Sequence, residues 1–222
     1  AFGLERASIL NPVINLKHDP AALAVEIHRQ MGAELGLSKK LIKKSLYHAI
    51  ERQRQFVADM HQQGGKILRK LDSAEPLIVV TGRPYNLYDD RLNLRLGQNL
   101  ARLGIAALPM DFIDASAVDL TEFPSMFWGL GAQILKTAKI VAANSNYFGL
   151  HLTNFGCGAD SFVEHFYKSI MGDKAYLILE LDEHSAAAGV MTRIEAYKNV
   201  IDNSMQASPL STQLKKIHSQ KG

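Results

Sequence analysis

Residues 77–86 read LIVVTGRPYN, an apolar run that stops at a glycine and continues into an arginine and a proline. The length and β-branched content of the run predict a strand over 77–81. Three more short apolar runs follow, and helical patterns lie between them. This alternation is typical of βαβ units on a parallel sheet. The further strands are predicted at 105–109, 149–154 and 176–181.

We therefore predict an α/β fold, in which a flavodoxin-like parallel sheet with flanking helices follows an N-terminal helical segment. Apolar residues recur at three- and four-residue steps on both sides of residue 76, which indicates helices. They are predicted at 20–35, 38–71, 92–103, 124–143, 160–171 and 187–202. Gly64 and Gly65 are expected to kink or break the second helix, and Pro124 is expected in the first turn of its own.

The pattern changes near residue 75, which divides the chain into three predicted parts. Residues 1–75 form a helical segment, 76–202 form the α/β domain, and 203–222 form a loose tail rich in Ser, Gln and Lys. Because the chain begins with Ala1 rather than methionine, we expect a piece of a longer protein.

The composition is that of an ordinary globular protein, with 47% hydrophobic and 21% charged residues. A single cysteine excludes an internal disulfide, and no apolar run is long enough to span a bilayer. We expect a cytoplasmic protein without a membrane partner. The lysines at 39, 40, 43 and 44 form a basic patch that favours a solvated face over phosphates or an acidic partner. Without interleaved aromatics or an arginine stripe, it indicates no nucleic acid partner.

Three loops are expected at the carboxyl edge of the sheet, where parallel folds place their functional residues. They are the segment Gly82–Asn86 after the first strand, the segment around Cys157 after the third, and Asp182–Ser185 after the fourth. If the strand order is 2-1-3-4, the first and third strands are neighbours. The arginine loop and the cysteine loop would then face each other across one crevice.

Cys157 is the most distinctive candidate for chemistry, because Gly156 and Gly158 flank it between a strand and a helix. A small buried apolar residue is the plain structural interpretation. Two functional interpretations stay open beside it. A helix that begins just after a thiol favours the thiolate, which serves either as an iron or zinc ligand or as a nucleophile.

The other loop residues also have two interpretations each. Gly82 and Pro84 are compatible with a simple tight turn, whereas Arg83 has the planar fork of donors that binds carboxylates and phosphates. Asp182 and Ser185 are common helix-capping types. His184 is either a satisfied surface histidine or a general acid or base. The eight histidines form no HxxxH pair, which argues against a self-contained zinc site.

Several segments together resemble one family in order and spacing. They are GRPYN at 82–86, PMD at 109–111, NFGCG at 154–158 followed by DSF at 160–162, ELDEHS at 180–185 with Gly189, and TRIEA at 192–196. The chain is similar to acyl-CoA dehydratase activase-related proteins, whose carboxyl-terminal part is similar to 2-hydroxyacyl-CoA dehydratase subunits. The resemblance covers roughly residues 10–202. Ala159 departs from it, since proline is expected there.

The resemblance implies flavodoxin-like domains that hold an iron-sulfur cluster with cysteines from different domains, paired with an ATP-dependent activase component that supplies low-potential electrons. It implies that Cys157 is a cluster ligand, and that the remaining ligands come from other domains or subunits of the parent protein. A homodimer is a further expected assembly. An isolated chain is therefore expected to hold no stable cluster and to be inactive.

Around that ligand, the resemblance gives the loop residues two tasks. Asn154, Gly156 and Gly158 would shape the approach to the cluster, and Gly82 would shape the facing turn. Arg83, Tyr85, Asn86 and His184 would line the crevice and orient a substrate or donate protons.

Two alternatives remain at this stage. A cysteine-dependent hydrolase or transferase would use Cys157 as nucleophile and His184 as base, with Asp182 or Glu183 orienting the histidine. A docking module would instead use the helices at 20–71 against a partner.

Overall fold

The computed structural model describes residues 9–72, 74–182 and 184–207. The chain divides into two compact units, Ala1–Asp59 and Met60–Gly222. This division lies within a long helix, and the predicted boundary near residue 75 stays a prediction. Residues 208–222, most of the predicted tail, lie outside the described residues. None of the helices in the described ranges is long and apolar enough to cross a membrane.

The first unit is helical, as predicted. Helix α1 covers Pro20–Ile27 and continues into a π-helical turn over His28–Gly32. Asp19 caps α1, because its carboxylate accepts hydrogen bonds from the N–H groups of Ala21 and Ala22 at 2.9 and 3.1 Å. The long helix α2 covers Lys39–Lys70 without interruption.

The second unit contains a parallel sheet of four strands. They are β1 (Leu77–Gly82), β2 (Ala106–Pro109), β3 (Tyr147–Asn154) and β4 (Tyr176–Leu181). Their order is β2-β1-β3-β4, and each neighbouring pair is parallel. All four predicted strands and the predicted order are confirmed. The reversal of strand order lies between β1 and β3.

Helices cover both faces of the sheet. They are α3 (Pro84–Tyr88), α4 (Leu96–Arg102), α5 (Gly129–Ala143), α6 (Gly158–Met171) and α7 (Ala187–Ala207). Alternate residues of β1 enter two separate cores. Ile78 and Val80 pack in a cluster that includes residues of α4 and α7. Leu77 and Val79 pack in one that includes residues of α5 and α6. The predicted α/β fold is thereby confirmed.

Several predicted helix boundaries are wrong, and the helix predicted over 20–35 ends at Gly32. Helix α4 begins at Leu96 rather than at 92, because Leu94 and Arg95 have φ of 54° and 56°, which a right-handed helix excludes. Helix α5 begins at Gly129, and Pro124 instead lies in a loop in which the Met126 N–H donates to the Phe123 carbonyl. Helix α7 continues to Ala207, so residues 203–207 are helical rather than a loose tail.

The predicted break at Gly64 and Gly65 is also wrong, and packing explains why. A Cβ added to Gly64 would lie 1.8 Å from the carbonyl oxygen of Phe112. The glycine therefore allows α2 to approach the backbone after β2, and the contact offsets the low helix propensity of glycine. Gly65 has no such backbone neighbour, since its Cβ would meet only the Arg69 side chain at 3.3 Å.

Candidate functional site at the carboxyl edge

The loops after β1 and β3 meet directly at the carboxyl edge of the sheet. Gly82 and Leu152 are register partners near the ends of these two strands. Both strands end within two residues of this pair, at Gly82 and Asn154. Arg83 then spans the gap between the loops. Its Nη2 donates to Cys157 Sγ at 2.7 Å, and its Nε donates to Asp160 Oδ1 at 2.9 Å. The structure thus brings together the arginine loop and the cysteine loop.

Local backbone geometry places the sulfur. Gly156 has φ of 69°, a left-handed conformation that turns the chain after β3. Cys157 follows as the N-cap of α6, and its N–H donates to the Asn154 carbonyl at 3.1 Å. Gly158 is the first residue of the helix, where an added Cβ would meet nothing within 4 Å. Cys157 is half-buried rather than enclosed in the core.

Gly82 permits a close approach between the two strands that carry the loops. A Cβ at this position would lie 2.8 Å from the carbonyl oxygen of Leu152 on β3. The next residue, Arg83, has extended backbone angles and precedes Pro84, the first residue of α3. The glycine and proline therefore direct the arginine side chain out of the sheet edge, toward the start of α6.

Asp160 accepts the hydrogen bond from Arg83 Nε, although the sequence predicted no role for it in the site. Its side chain is 3% exposed and that of Arg83 is 22% exposed. The second carboxylate oxygen accepts the Asn154 N–H at 3.4 Å. Burial lowers the pKa of Arg83, but the hydrogen bond and charge of Asp160 outweigh it and raise that pKa above its usual value.

Two aromatic rings complete the surroundings of the guanidinium. The Arg83 Cζ lies 5.4 Å from the ring centroid of Trp128 and 6.0 Å from that of Tyr85. Both distances allow a cation–π attraction. Trp128 precedes α5 and had no predicted role; its being the only tryptophan of the chain was the one available signal. The arginine is therefore confined by an acid and two aromatic faces.

A cleft of about 460 Å³ lies beside this cluster. It is lined by Tyr85, Asn86, Arg91, Leu92, Leu94, Asn154, Phe155, Leu181, Asp182 and Ser185. Asn154 Nδ2 donates to Tyr85 Oη at 3.0 Å, which joins the two predicted crevice residues. Asn86 is 1% exposed, and its Nδ2 has no hydrogen-bond partner among the described residues. The cleft is thus lined by both polar and apolar side chains.

The loop after β4 forms a capped turn before α7. The N–H of His184 donates to Asp182 Oδ1 at 3.0 Å, and the Ser185 hydroxyl donates to the same oxygen at 2.8 Å. The hydrogen bond from Ser185 lowers the pKa of Asp182. His184 is exposed, and the hydrogen bond to the Cys157 sulfur comes from Arg83. Glu183 lies outside the described residues.

A second polar pair lies inside the domain beneath this edge. His151 on β3 is 1% exposed, and its Nδ1 lies 3.0 Å from Thr81 Oγ1. Its ring stacks on that of Tyr167 with centroids 5.1 Å apart. His151 Nε2 and Tyr167 Oη have no hydrogen-bond partner among the described residues. Burial lowers the pKa of His151 to about 4.

The described residues could supply one ligand of a metal centre, but they could not form a complete metal site by themselves. Within residues 9–72, 74–182 and 184–207, no group of three or more His, Cys, Asp or Glu side chains is arranged to hold a metal ion. Cys157 alone offers a thiol, half-exposed at the edge of the sheet. Because iron-sulfur clusters are held by several thiolates, any such cluster needs ligands from outside these residues.

The comparison with known proteins identifies the family. The CoA enzyme activase uncharacterised domain (DUF2229) matches residues 1–113, about half of the chain. This match confirms the resemblance to activase-related proteins. It includes the arginine loop and ends before Cys157. No curated protein and no solved structure matches the chain. The chain therefore belongs to the family of the CoA enzyme activase uncharacterised domain.

Proposed function

We propose that this chain is a module of a larger activase-related protein and contributes the Cys157 sulfur as one ligand of an iron-sulfur cluster. Cysteines of other domains or subunits supply the remaining ligands. The observation that carries the proposal is the position of the sulfur. It lies half-exposed at the strand-order reversal, at the start of α6 and in contact with a cation.

The surroundings of the sulfur are electropositive. The N-terminus of a helix carries a partial positive charge, and the guanidinium of Arg83 adds a full one within hydrogen-bonding distance. Both place positive charge beside the sulfur. When bound, an iron-sulfur cluster supplies a site that accepts and releases one electron at a potential set by its surroundings. Hydrogen bonds to a ligand sulfur are among the features that set this potential.

The remaining residues of the edge have supporting tasks in this proposal. Gly156 and Gly158 leave room for a cluster and its other ligands above the sulfur, since an added Cβ at either position would meet nothing within 4 Å. Tyr85, Asn86 and Asn154 line the cleft and orient a substrate there. His184 borders the same edge and exchanges protons with the bound molecule.

The system around the module follows from the same proposal. An ATP-dependent activase component delivers low-potential electrons, and the protein works in the cytoplasm. The family match supports a role beside CoA enzyme activases, because the matched domain is described by that association.

The test uses the full-length protein, isolated without oxygen together with the polypeptides that co-purify. Iron, acid-labile sulfide and the visible spectrum are measured for the wild type, Cys157→Ser and the control Ser161→Ala. Ser161 lies in the same helical turn, where its hydroxyl donates only to the Cys157 carbonyl at 3.0 Å. We expect bound iron and broad visible absorption, lowered in Cys157→Ser and unchanged in Ser161→Ala. A colourless wild type contradicts the proposal.

The same preparations separate the hydrolase alternative. The hydrolase hypothesis needs His184 beside the nucleophile, whereas Arg83 is the residue that donates a hydrogen bond to the Cys157 sulfur. A colourless protein that cleaves thioesters, and loses this activity in Cys157→Ser and His184→Gln, favours the hydrolase. A protein with neither iron nor turnover favours the docking module.

A further inference from the structure

The guanidinium of Arg83 shares its donors between two acceptors of different kinds. Nε faces the buried carboxylate of Asp160, and Nη2 faces Cys157 Sγ. A planar fork with fixed angles between its N–H groups suits this arrangement, since one bond orients the other. The backbone N–H of Asn154 in turn holds the second oxygen of Asp160. The chain of contacts therefore runs from the β3 backbone to the sulfur.

We infer that Asp160 is a positioning residue, which holds the positive charge of Arg83 against the Cys157 sulfur and thereby sets the reactivity of that sulfur. This role deepens the proposed function. It rests on that function only for the identity of the group that the sulfur binds. Asp160 does not touch the sulfur itself in any hydrogen bond of the structure; it acts through Arg83. Trp128 assists by presenting its ring face to the guanidinium.

An arginine side chain is flexible, so it needs a partner to keep its charge in one place. An unrestrained arginine carries considerable rotamer entropy and prefers to extend its charge into water. The rings of Trp128 and Tyr85 lie against the guanidinium, but its Nε donates to Asp160. Asp160 is able to hold the guanidinium because its carboxylate is nearly fully buried and fixed by the backbone. Without it, the cation leaves the sulfur.

Two effects of Asp160 have opposite signs, which makes the inference testable. As an anion near the sulfur, Asp160 weakens the positive field there. As the holder of Arg83, it creates that field. Neutralising Asp160 therefore strengthens the field if Arg83 stays in place, and weakens it if Arg83 departs. The inference requires the second outcome.

The experiment measures this field through alkylation of the thiol. The reduced, metal-free chain is treated at neutral pH with iodoacetate, which is anionic, and with iodoacetamide, which is neutral. Cys157 is the only cysteine of the chain, so each rate constant refers to one sulfur. We divide the rate constant for iodoacetate by that for iodoacetamide. The fraction of thiolate cancels in this ratio, which then reports how strongly the charges around the sulfur attract the anionic reagent.

The expected ratios follow from the size of this attraction. Two unit charges 4 Å apart in water interact by about 1 kcal/mol, which corresponds to a ratio changed about fivefold. We expect Arg83→Gln to lower the ratio by about that factor and Asp160→Asn to lower it in the same direction. The double variant should not fall below Arg83→Gln alone, because without the arginine Asp160 keeps only its direct repulsion of the anionic reagent. High salt should lower the wild-type ratio.

Two controls guard against a trivial result. Asp173→Asn makes the same change of charge at an exposed position in the turn after α6, and should leave the ratio unchanged. Arg83→Lys keeps the charge but lacks the fork, and should give an intermediate ratio. Circular dichroism shows that each variant is folded. A ratio that rises or stays constant in folded Asp160→Asn overturns the inference.

The outcome is separate from that of the proposed function. Alkylation is measured without metal, so a colourless full-length protein leaves the expected ratios in place and refutes the cluster alone. Conversely, unchanged ratios with cluster loss in Cys157→Ser refute the positioning role and leave the ligand role standing.

Discussion

At the residue scale, the two ends of the Arg83 guanidinium do different work. The Nε end is bound to a carboxylate that is 3% exposed, whereas the Nη2 end meets a half-exposed sulfur. Lysine has the same charge but a single flexible donor group, so it cannot hold both acceptors in one fixed geometry. The site therefore depends on the residue type at position 83 and not only on its charge.

Residue types alone revealed part of this site. Cys157, Arg83 and Tyr85 stand out in the sequence because glycine or proline lies beside them at the ends of apolar runs. Asp160 did not stand out, because an acid in the first turn of a helix is common for electrostatic reasons of its own. Its partner Arg83 follows β1, whereas Asp160 lies in the helix after β3, and only the strand order brings the two together.

His151 gives a prediction for pH dependence. Burial lowers its pKa in the folded protein to about 4, from the ordinary value of 6.5. As the pH falls below 6.5, the unfolded chain takes up a proton that the folded chain does not, so stability decreases. Between neutral pH and pH 4, the wild type should lose about 3 kcal/mol more than His151→Gln, measured by urea unfolding. Equal losses in the two proteins would show that His151 accepts its proton freely when folded.

At the element scale, the strands were easier to predict than the ends of the helices. Strand β1 is buried along its whole length and therefore reads as an unbroken apolar run. Helix α4 instead begins after two residues with positive φ, and neither Leu94 nor Arg95 is a type that signals this conformation. The start of α5 was missed because Pro124 fits a helix and a loop equally well.

The paired glycines of α2 give a prediction at this scale. Gly64→Ala should lower the free energy of unfolding by about 1–3 kcal/mol or more, because the new Cβ would collide with the Phe112 carbonyl oxygen. Gly65→Ala should raise it by up to about 1 kcal/mol, because alanine favours the helix and only the flexible tip of Arg69 must move. Urea unfolding of both variants checks this. Equal effects at the two positions would contradict the close approach of α2 to Phe112.

At the scale of the whole molecule, the apolar surface is unevenly distributed. Within residues 60–72, 74–182 and 184–207, the exposed large hydrophobic side chains are Ile67, Tyr85, Tyr88, Leu92, Phe127, Phe155, Phe162 and Val200. Tyr85 contacts Arg83, and Phe127 precedes Trp128, the other ring beside that guanidinium. Phe155, at 71% exposed, is two residues from the sulfur. Such a surface suits contact with another protein surface.

The family assignment and the fold agree at this scale, and the sequence predicted both. The order and spacing of the loop motifs indicated the activase-related family, and the alternation of strands and helices indicated the parallel sheet. The ligands that the proposed cluster would take from elsewhere were beyond prediction for a physical reason. A cluster needs several thiolates, and this chain has one cysteine.

The most direct test of the central claim replaces Cys157 with selenocysteine that carries the magnetic isotope of selenium. The full-length protein is isolated without oxygen, reduced, and studied by electron paramagnetic resonance. If Cys157 is a ligand, electron spin on the iron reaches the selenium nucleus, and the signal should be split or broadened relative to the non-magnetic isotope. Identical spectra with the two isotopes, or a protein without any iron signal, would contradict the claim that this sulfur binds a cluster.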